Sequence, residues 1–416
     1  MRLNKKVLDK VDFSKEKSSC PQFRRTKLQN GLTILHEKRD VDVTTVMLGA
    51  KYGAAYEDEK EKGVAHFMEH LCFKGTEKRT AKEIAEELEK VGGILNAFTS
   101  EEVTAYHVKL PSEHLELAMD VIFDIFFNPV FPEEEVKKEA NVICEEIRMY
   151  HDNPKAHVLE KIKENLYEKP FGMFVAGTEE NVKGMGREFL IGRQREIYVP
   201  KNSILCVVGN NDFEDVVKFA EKFVVVRDGE SLGVPEIERI NNEEEEKRDN
   251  LQQANVALGI HFPKANEKER YAAEVFSAIL GSGMSSKLFT EVREKRGLVY
   301  GVKSDLDLGK DYGYMFIWAG TDKEKVGEVK KICLEEFEKM KNISEKELED
   351  GKEQVIGNQK VESEGSNETA VNLILEEIMG KAEDYYGYEK NIRSVTLEDI
   401  KKLAEKTEYS SFVLSP

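Results

Sequence analysis

His66-Phe67-Met68-Glu69-His70 sets two imidazoles and a carboxylate on one short segment, with Val64 and Ala65 before it and Leu71 after. At about 100° per residue, a helix here puts His70 roughly 40° from His66, and Glu69 about 60° to the other side. Two imidazoles one turn apart can hold a zinc ion, and a carboxylate beside them can take a proton from metal-bound water. The order His-x-x-Glu-His inverts the commoner His-Glu-x-x-His zinc motif.

A zinc ion that does chemistry usually has three protein ligands, so a third donor is needed. Residues 132–148 read as a helix, because Pro132 and three acidic residues open it. Val136, Ala140, Ile143 and Ile147 form its apolar stripe; Glu139 and Glu146 border that stripe, and Glu145 projects to the opposite side. A carboxylate on the core side of a helix is costly unless it is paired or bound to metal. Glu146 is therefore the better third ligand, and Glu139, two turns earlier, is placed to support the ligands.

The run Gly63-Val64-Ala65-His66-Phe67-Met68-Glu69-His70-Leu71-Cys72-Phe73-Lys74-Gly75-Thr76 resembles the core motif of the pitrilysin-type, or M16, zinc peptidases. It is most similar to the short bacterial members that resemble mitochondrial processing peptidase. Glu146, 76 residues after His70, falls where that family carries its third zinc ligand, and Glu139 matches its additional active-site glutamate. Gly92-Gly93-Ile94-Leu95-Asn96-Ala97-Phe98-Thr99-Ser100 resembles the family's edge strand, which implies that Asn96, Ala97 and Phe98 pair with the substrate backbone.

In the second half, Gly281-Ser282-Gly283-Met284-Ser285-Ser286-Lys287-Leu288-Phe289 has no following Gly-Lys-Ser/Thr, which argues against a phosphate loop. It resembles the inactive-domain motif of the same family, where an arginine and a tyrosine seven residues apart hold the substrate backbone and the developing oxyanion. Arg293 and Tyr300 stand in those places.

The resemblance implies an α+β fold of two duplicated domains of like topology, each a mostly antiparallel sheet backed by helices. It also implies one zinc per chain and hydrolysis of peptides or unfolded segments, with Glu69 as the proton-transfer group. Because larger relatives carry four such domains, it implies a chamber closed by two chains, a homodimer or a heterodimer with a related chain. Two alternatives fit the same features: a non-catalytic partner subunit, and a maturase dedicated to one precursor peptide.

A length of 416 residues exceeds one ordinary core. Strand-like Val43–Ala50, Val103–Leu110 and Asn202–Gly209 and helical 80–91 and 113–127 have counterparts later. Ala254–His261, 300–306 and 314–319 read as strands, and 267–280, 286–293 and 323–339 as helices. The expected organisation is a catalytic zinc domain over 1–226, a linker over 227–250 that includes Glu243 to Glu246, and an inactive repeat over 251–416. That repeat holds only His261 and cannot rebuild the metal site. A net charge of -18 argues against nucleic acid as partner. The start of the chain has no apolar run suited to a signal peptide, and no stretch reaches the roughly 18 apolar residues of a membrane span. The five cysteines are scattered and odd in number, so no disulfide framework is expected. Cys72 and Cys144 should point away from the zinc. These features together predict a cytoplasmic protein.

Overall fold

Two sheets organise the chain in the computed structural model, which describes residues 23–229 and 232–416. The amino-terminal stretch with Cys20, and residues 230 and 231 of the expected linker, lie outside them. The first sheet comprises β1 (Phe23–Lys27), β2 (Thr33–Lys38), β3 (Val43–Ala50), β4 (Ile94–Thr99), β5 (Thr104–Pro111) and β6 (Ser203–Gly209), in the order β1-β2-β6-β3-β5-β4. The second comprises β7 (Glu243–Lys247), β8 (Ala254–His261), β9 (Val299–Leu308), β10 (Gly313–Thr321) and β11 (Ser410–Ser415), in the order β7-β11-β8-β10-β9. With β1 set aside, exchanging β2, β6, β3, β5 and β4 for β7, β11, β8, β10 and β9 turns one order into the other. Each sheet has one parallel pair, β2 with β6 and β7 with β11, among antiparallel neighbours. The chain is thus an α+β protein of two similar domains.

Strand alternation sorts the first sheet's residues onto two faces. Val46, Leu48 and Val207 face a core built with α1 (Val64–Cys72), α2 (Ala81–Glu89) and α3 (Leu115–Phe127). Met47, Cys206 and Val208 face the other way, onto Ala370, Leu373 and Ile374 of the helix Ser366–Met379. That helix belongs to the second half. The exchange is reciprocal. After α4 (Glu133–Asp152) comes α5 (Pro154–Leu166), whose Val158, Ile162 and Leu166 pack on Ala257, Phe412 and Leu414 of the second sheet. Burying each such side chain is worth roughly 1.5–3 kcal/mol, so each half holds the other in place.

The acidic run expected within the linker is instead strand β7. Glutamate is a poor strand former, but here it lies on an edge with Glu243, Glu244 and Glu245 exposed and Glu246 turned partly inward to His157; charge on such an edge also discourages edge-to-edge pairing. Glu243 pairs with Lys330, and Glu246 with Arg248 at 2.7 Å. The expected helix over 286–293 is replaced mainly by a π-helical turn, Phe289–Glu294. Among the described residues, no helix is long and apolar enough to cross a membrane.

Candidate active site

Val64, Ala65, Phe67, Met68 and Leu71 bury one side of α1, which leaves His66, Glu69 and His70 on its more open side. The helix has no acidic residue in its own first turn. Glu57 caps it from the preceding loop, accepting hydrogen bonds from the Gly63 and Ala65 N–H groups at 2.9 and 2.6 Å, while burial pushes its carboxyl up to about 8. Gly63 adopts φ 101°, and a Cβ there would meet the Ala176 carbonyl oxygen at 2.5 Å. Only glycine fits this entry to the helix.

Helix α4 runs beside α1 and delivers Glu139 and Glu146 to it. One oxygen of Glu146 lies 3.6 Å from His66 Nε2 and 3.6 Å from His70 Nε2. Donors around one tetrahedral ion with bonds of about 2.1 Å stand about 3.4 Å apart, so the two imidazoles and the carboxylate fit zinc. Glu139 accepts a hydrogen bond from His70 Nδ1 at 3.0 Å and pairs with Lys74 at 2.7 Å. Glu145 points outward to Arg148.

The electrostatics are those of a site awaiting positive charge. Burial works against charge on His70, yet its bonds to Glu139 and Glu146 raise it to about 9. Burial, with the neighbouring His70 charge, lowers His66 to about 4. The His70 hydrogen bond holds Glu146 below the ordinary carboxylate range. A divalent cation would take the place of the single proton that this group now attracts. Burial raises Glu69, while the Thr99 hydroxyl, donating to Glu69 Oε2 at 2.5 Å, pulls the other way.

Thr99 ends β4, the edge strand of the first sheet. Asn96, Ala97 and Phe98 lie on it, and Asn96 Oδ1 accepts the Ala97 N–H at 2.8 Å. Arg293 and Tyr300 are in the other half and make no hydrogen bond or ion pair with the α1 and α4 groups. Arg293 is exposed in the π-helical turn, its guanidinium 4.8 Å from the Phe289 ring. Tyr300 is half-exposed at the start of edge strand β9, its ring edge-on to Trp318. Cys72 and Cys144 are buried in the core.

Thr99, Lys74 and Glu57 were not anticipated from sequence. Of the three, only Glu57 had a local signal, as an acid shortly before a helix that lacks one. Among the described residues one other group could ligate a metal, His151, His157 and Glu246. Its donors already serve Arg248, which bonds His151 Nε2 at 3.0 Å and Glu246 at 2.7 Å.

Residues 32–179 match the family described as insulinase (peptidase family M16), and 186–355 match the M16 inactive domain. The chain is 32% identical over 406 residues to the uncharacterized zinc protease YmxG of Bacillus subtilis, covering 95% of this chain and 98% of that one. It is 35% identical over 341 residues to an uncharacterized zinc protease of Rickettsia felis, covering 81% and 82%. In fold it is similar to a protease from Helicobacter pylori (TM-score 0.87, 22% identity, 95% and 99% covered). A crystal structure of the peptidase M16 inactive domain from Pseudomonas fluorescens is as similar (TM-score 0.87, 19% identity, 95% and 98% covered). With both domain models matched in order and near-full-length relatives above 30% identity, the chain belongs to peptidase family M16.

Proposed function

We propose that this chain is a zinc metalloendopeptidase that cleaves peptides or unfolded segments. The observation that carries the reading is the approach of two imidazole nitrogens to one oxygen of Glu146, with Glu69 on the same helix. The zinc-protease names of its relatives support it.

In this reading His66, His70 and Glu146 hold one zinc ion per chain. When bound, zinc supplies Lewis acidity toward water and the substrate carbonyl. Glu139 holds Nδ1 of His70, which leaves Nε2 as the ligand atom. Glu69 takes a proton on its carboxylate and later gives it to the leaving amine; burial keeps that carboxylate basic enough for the task. The open edge of β4 receives the substrate as an added strand, with Asn96 Oδ1 yielding the Ala97 N–H to it. Main-chain pairing of this kind tolerates many side chains. Arg293 and Tyr300 supply donors for the oxyanion from the second chain of a dimer.

The test is Glu69→Gln assayed on an unstructured peptide, with zinc measured in the same sample. Retained zinc with nearly all cleavage lost is expected. Cleavage near the wild-type rate would overturn the assignment of Glu69.

A further inference from the structure

A cavity of about 530 Å³ lies in the second half, between β9 and the helices Arg270–Gly281, Glu345–Glu362 and Ser366–Met379. Four carboxylates line it, Glu274, Asp305, Glu362 and Glu376. Their compensation is unequal. Arg270 forks onto both oxygens of Glu376 at 2.8 and 2.9 Å. Glu274 accepts only the Tyr388 hydroxyl, and Glu362 has no side-chain partner among the described residues. The one lysine in the lining, Lys303, is taken up by Asp305 at 2.8 Å. Burial pushes Glu274 up to about 7 despite Tyr388 and Arg270, and Glu376 and Glu362 add repulsion.

A second observation points to a ligand. Tyr385 lines the same cavity, is 9% exposed, and its buried hydroxyl has no hydrogen-bond partner. A buried hydroxyl left unmatched is costly, and a ligand that brings donors would satisfy it. Leu306, Val355, Leu375 and Met379 add apolar wall beside the carboxylates. Negative groups without counter-charge and an apolar wall together suit a long basic side chain, with its methylenes on the wall and its charge among the carboxylates.

We propose that this cavity binds an ammonium or guanidinium group, carried by a lysine or arginine of a polypeptide or by a free polyamine. Glu274 and Glu362 supply the charge-assisted acceptors, and the Tyr385 oxygen accepts a further N–H. The site shares no residue with the α1 and α4 group, so it does not depend on the proposed hydrolysis.

The experiment uses the full chain carrying Glu69→Gln, so that binding is read without cleavage. Calorimetry is run with N-acetyl-arginine amide, with N-acetyl-citrulline amide as its uncharged counterpart, and with spermidine. The arginine probe should bind one per chain, and the citrulline probe about tenfold or more weaker, the scale of one lost charge-assisted hydrogen bond. Adding Glu274→Gln should weaken the arginine probe about tenfold; Glu362→Gln, at an exposed position that folding does not need, should do the same. Tyr385→Phe deletes only the hydroxyl and should cost about threefold. Tighter binding of the arginine probe than of spermidine assigns the site to polypeptide; the reverse assigns it to polyamine. Equal binding of arginine and citrulline probes overturns the proposal. So does arginine binding unchanged in both glutamine variants, or no binding of either cation at millimolar concentration.

Discussion

Thr99 Oγ1 donates a 2.5 Å hydrogen bond to Glu69 Oε2, joining the end of edge strand β4 to the helix that carries both histidines. The strand proposed to receive substrate and the carboxylate proposed to move the proton are therefore fixed to one another. Thr99→Val keeps the side-chain shape and removes the donor. It should lower kcat by about tenfold, the scale of a hydrogen bond to a charged group, with zinc content unchanged. Peptide turnover equal to wild type would show that the bond does not position Glu69.

Glu139 touches His70 and not the space between the ligand atoms. Its removal should act through His70 orientation. Glu139→Gln should weaken zinc retention about 10–100-fold in competition with a chelator, as the loss of such supporting partners does. Lys74, paired with the same carboxylate, should have a smaller effect when changed to Met. Unaltered zinc affinity in Glu139→Gln would remove it from the metal centre.

Adjacent glutamates on α4 offer a sharper contrast. Glu146 faces both histidines, whereas Glu145 faces Arg148 and solvent. Glu146→Gln should lose zinc and activity together, and Glu145→Gln should keep both. Metal analysis of the two purified variants decides it. Zinc lost from Glu145→Gln alone would invert the ligand assignment.

What could be read from sequence follows from the range of each signal. His66, Glu69 and His70 share one helix, and Glu139 and Glu146 another, so helical spacing alone placed them on common faces. Which helix met which was carried by the family resemblance. Thr99 is 30 residues from Glu69, and a threonine ending a strand announces no partner. The exchange of α5 and the helix 366–379 was equally silent. An apolar stripe says that a helix buries a face, but not which of two similar sheets will receive it. Strand β7 was hidden by composition, because its four glutamates are tolerated only on the exposed edge that the fold gives them.

Three carboxylates, Glu102, Glu160 and Glu274, are pushed by burial to about 7, from 4.5 when free. Between those values the folded chain binds protons that the unfolded chain has released. Their contribution to stability is complete below the unfolded value and is lost as pH rises through 7. The thermal midpoint of metal-free protein should therefore fall from pH 6.5 to pH 8. Glu102 accepts the Lys310 N–H at 2.7 Å, across the two halves, and Glu102→Gln retains an acceptor while removing the titration. That variant should flatten the fall. A midpoint that rises over the same interval would contradict the assignment.

Arg293 and Tyr300 face solvent in the second half, with no bond to the groups on α1 and α4. The proposed dimer has each chain lend them to the other's zinc site. Activity then belongs to the assembly, because one chain alone has a metal centre without its oxyanion donors. Glu69→Gln and Tyr300→Phe proteins should each be inactive, and mixing them under conditions that exchange subunits should restore activity. In the mixed dimer, one site combines wild-type Glu69 of one chain with wild-type Tyr300 of the other. Were both residues to act within their own chain, every site in that dimer would carry one defect. Native mass spectrometry can establish that mixed dimers have formed. No recovery of cleavage in their presence, with both parents inactive, would rule out the exchange of donors between chains.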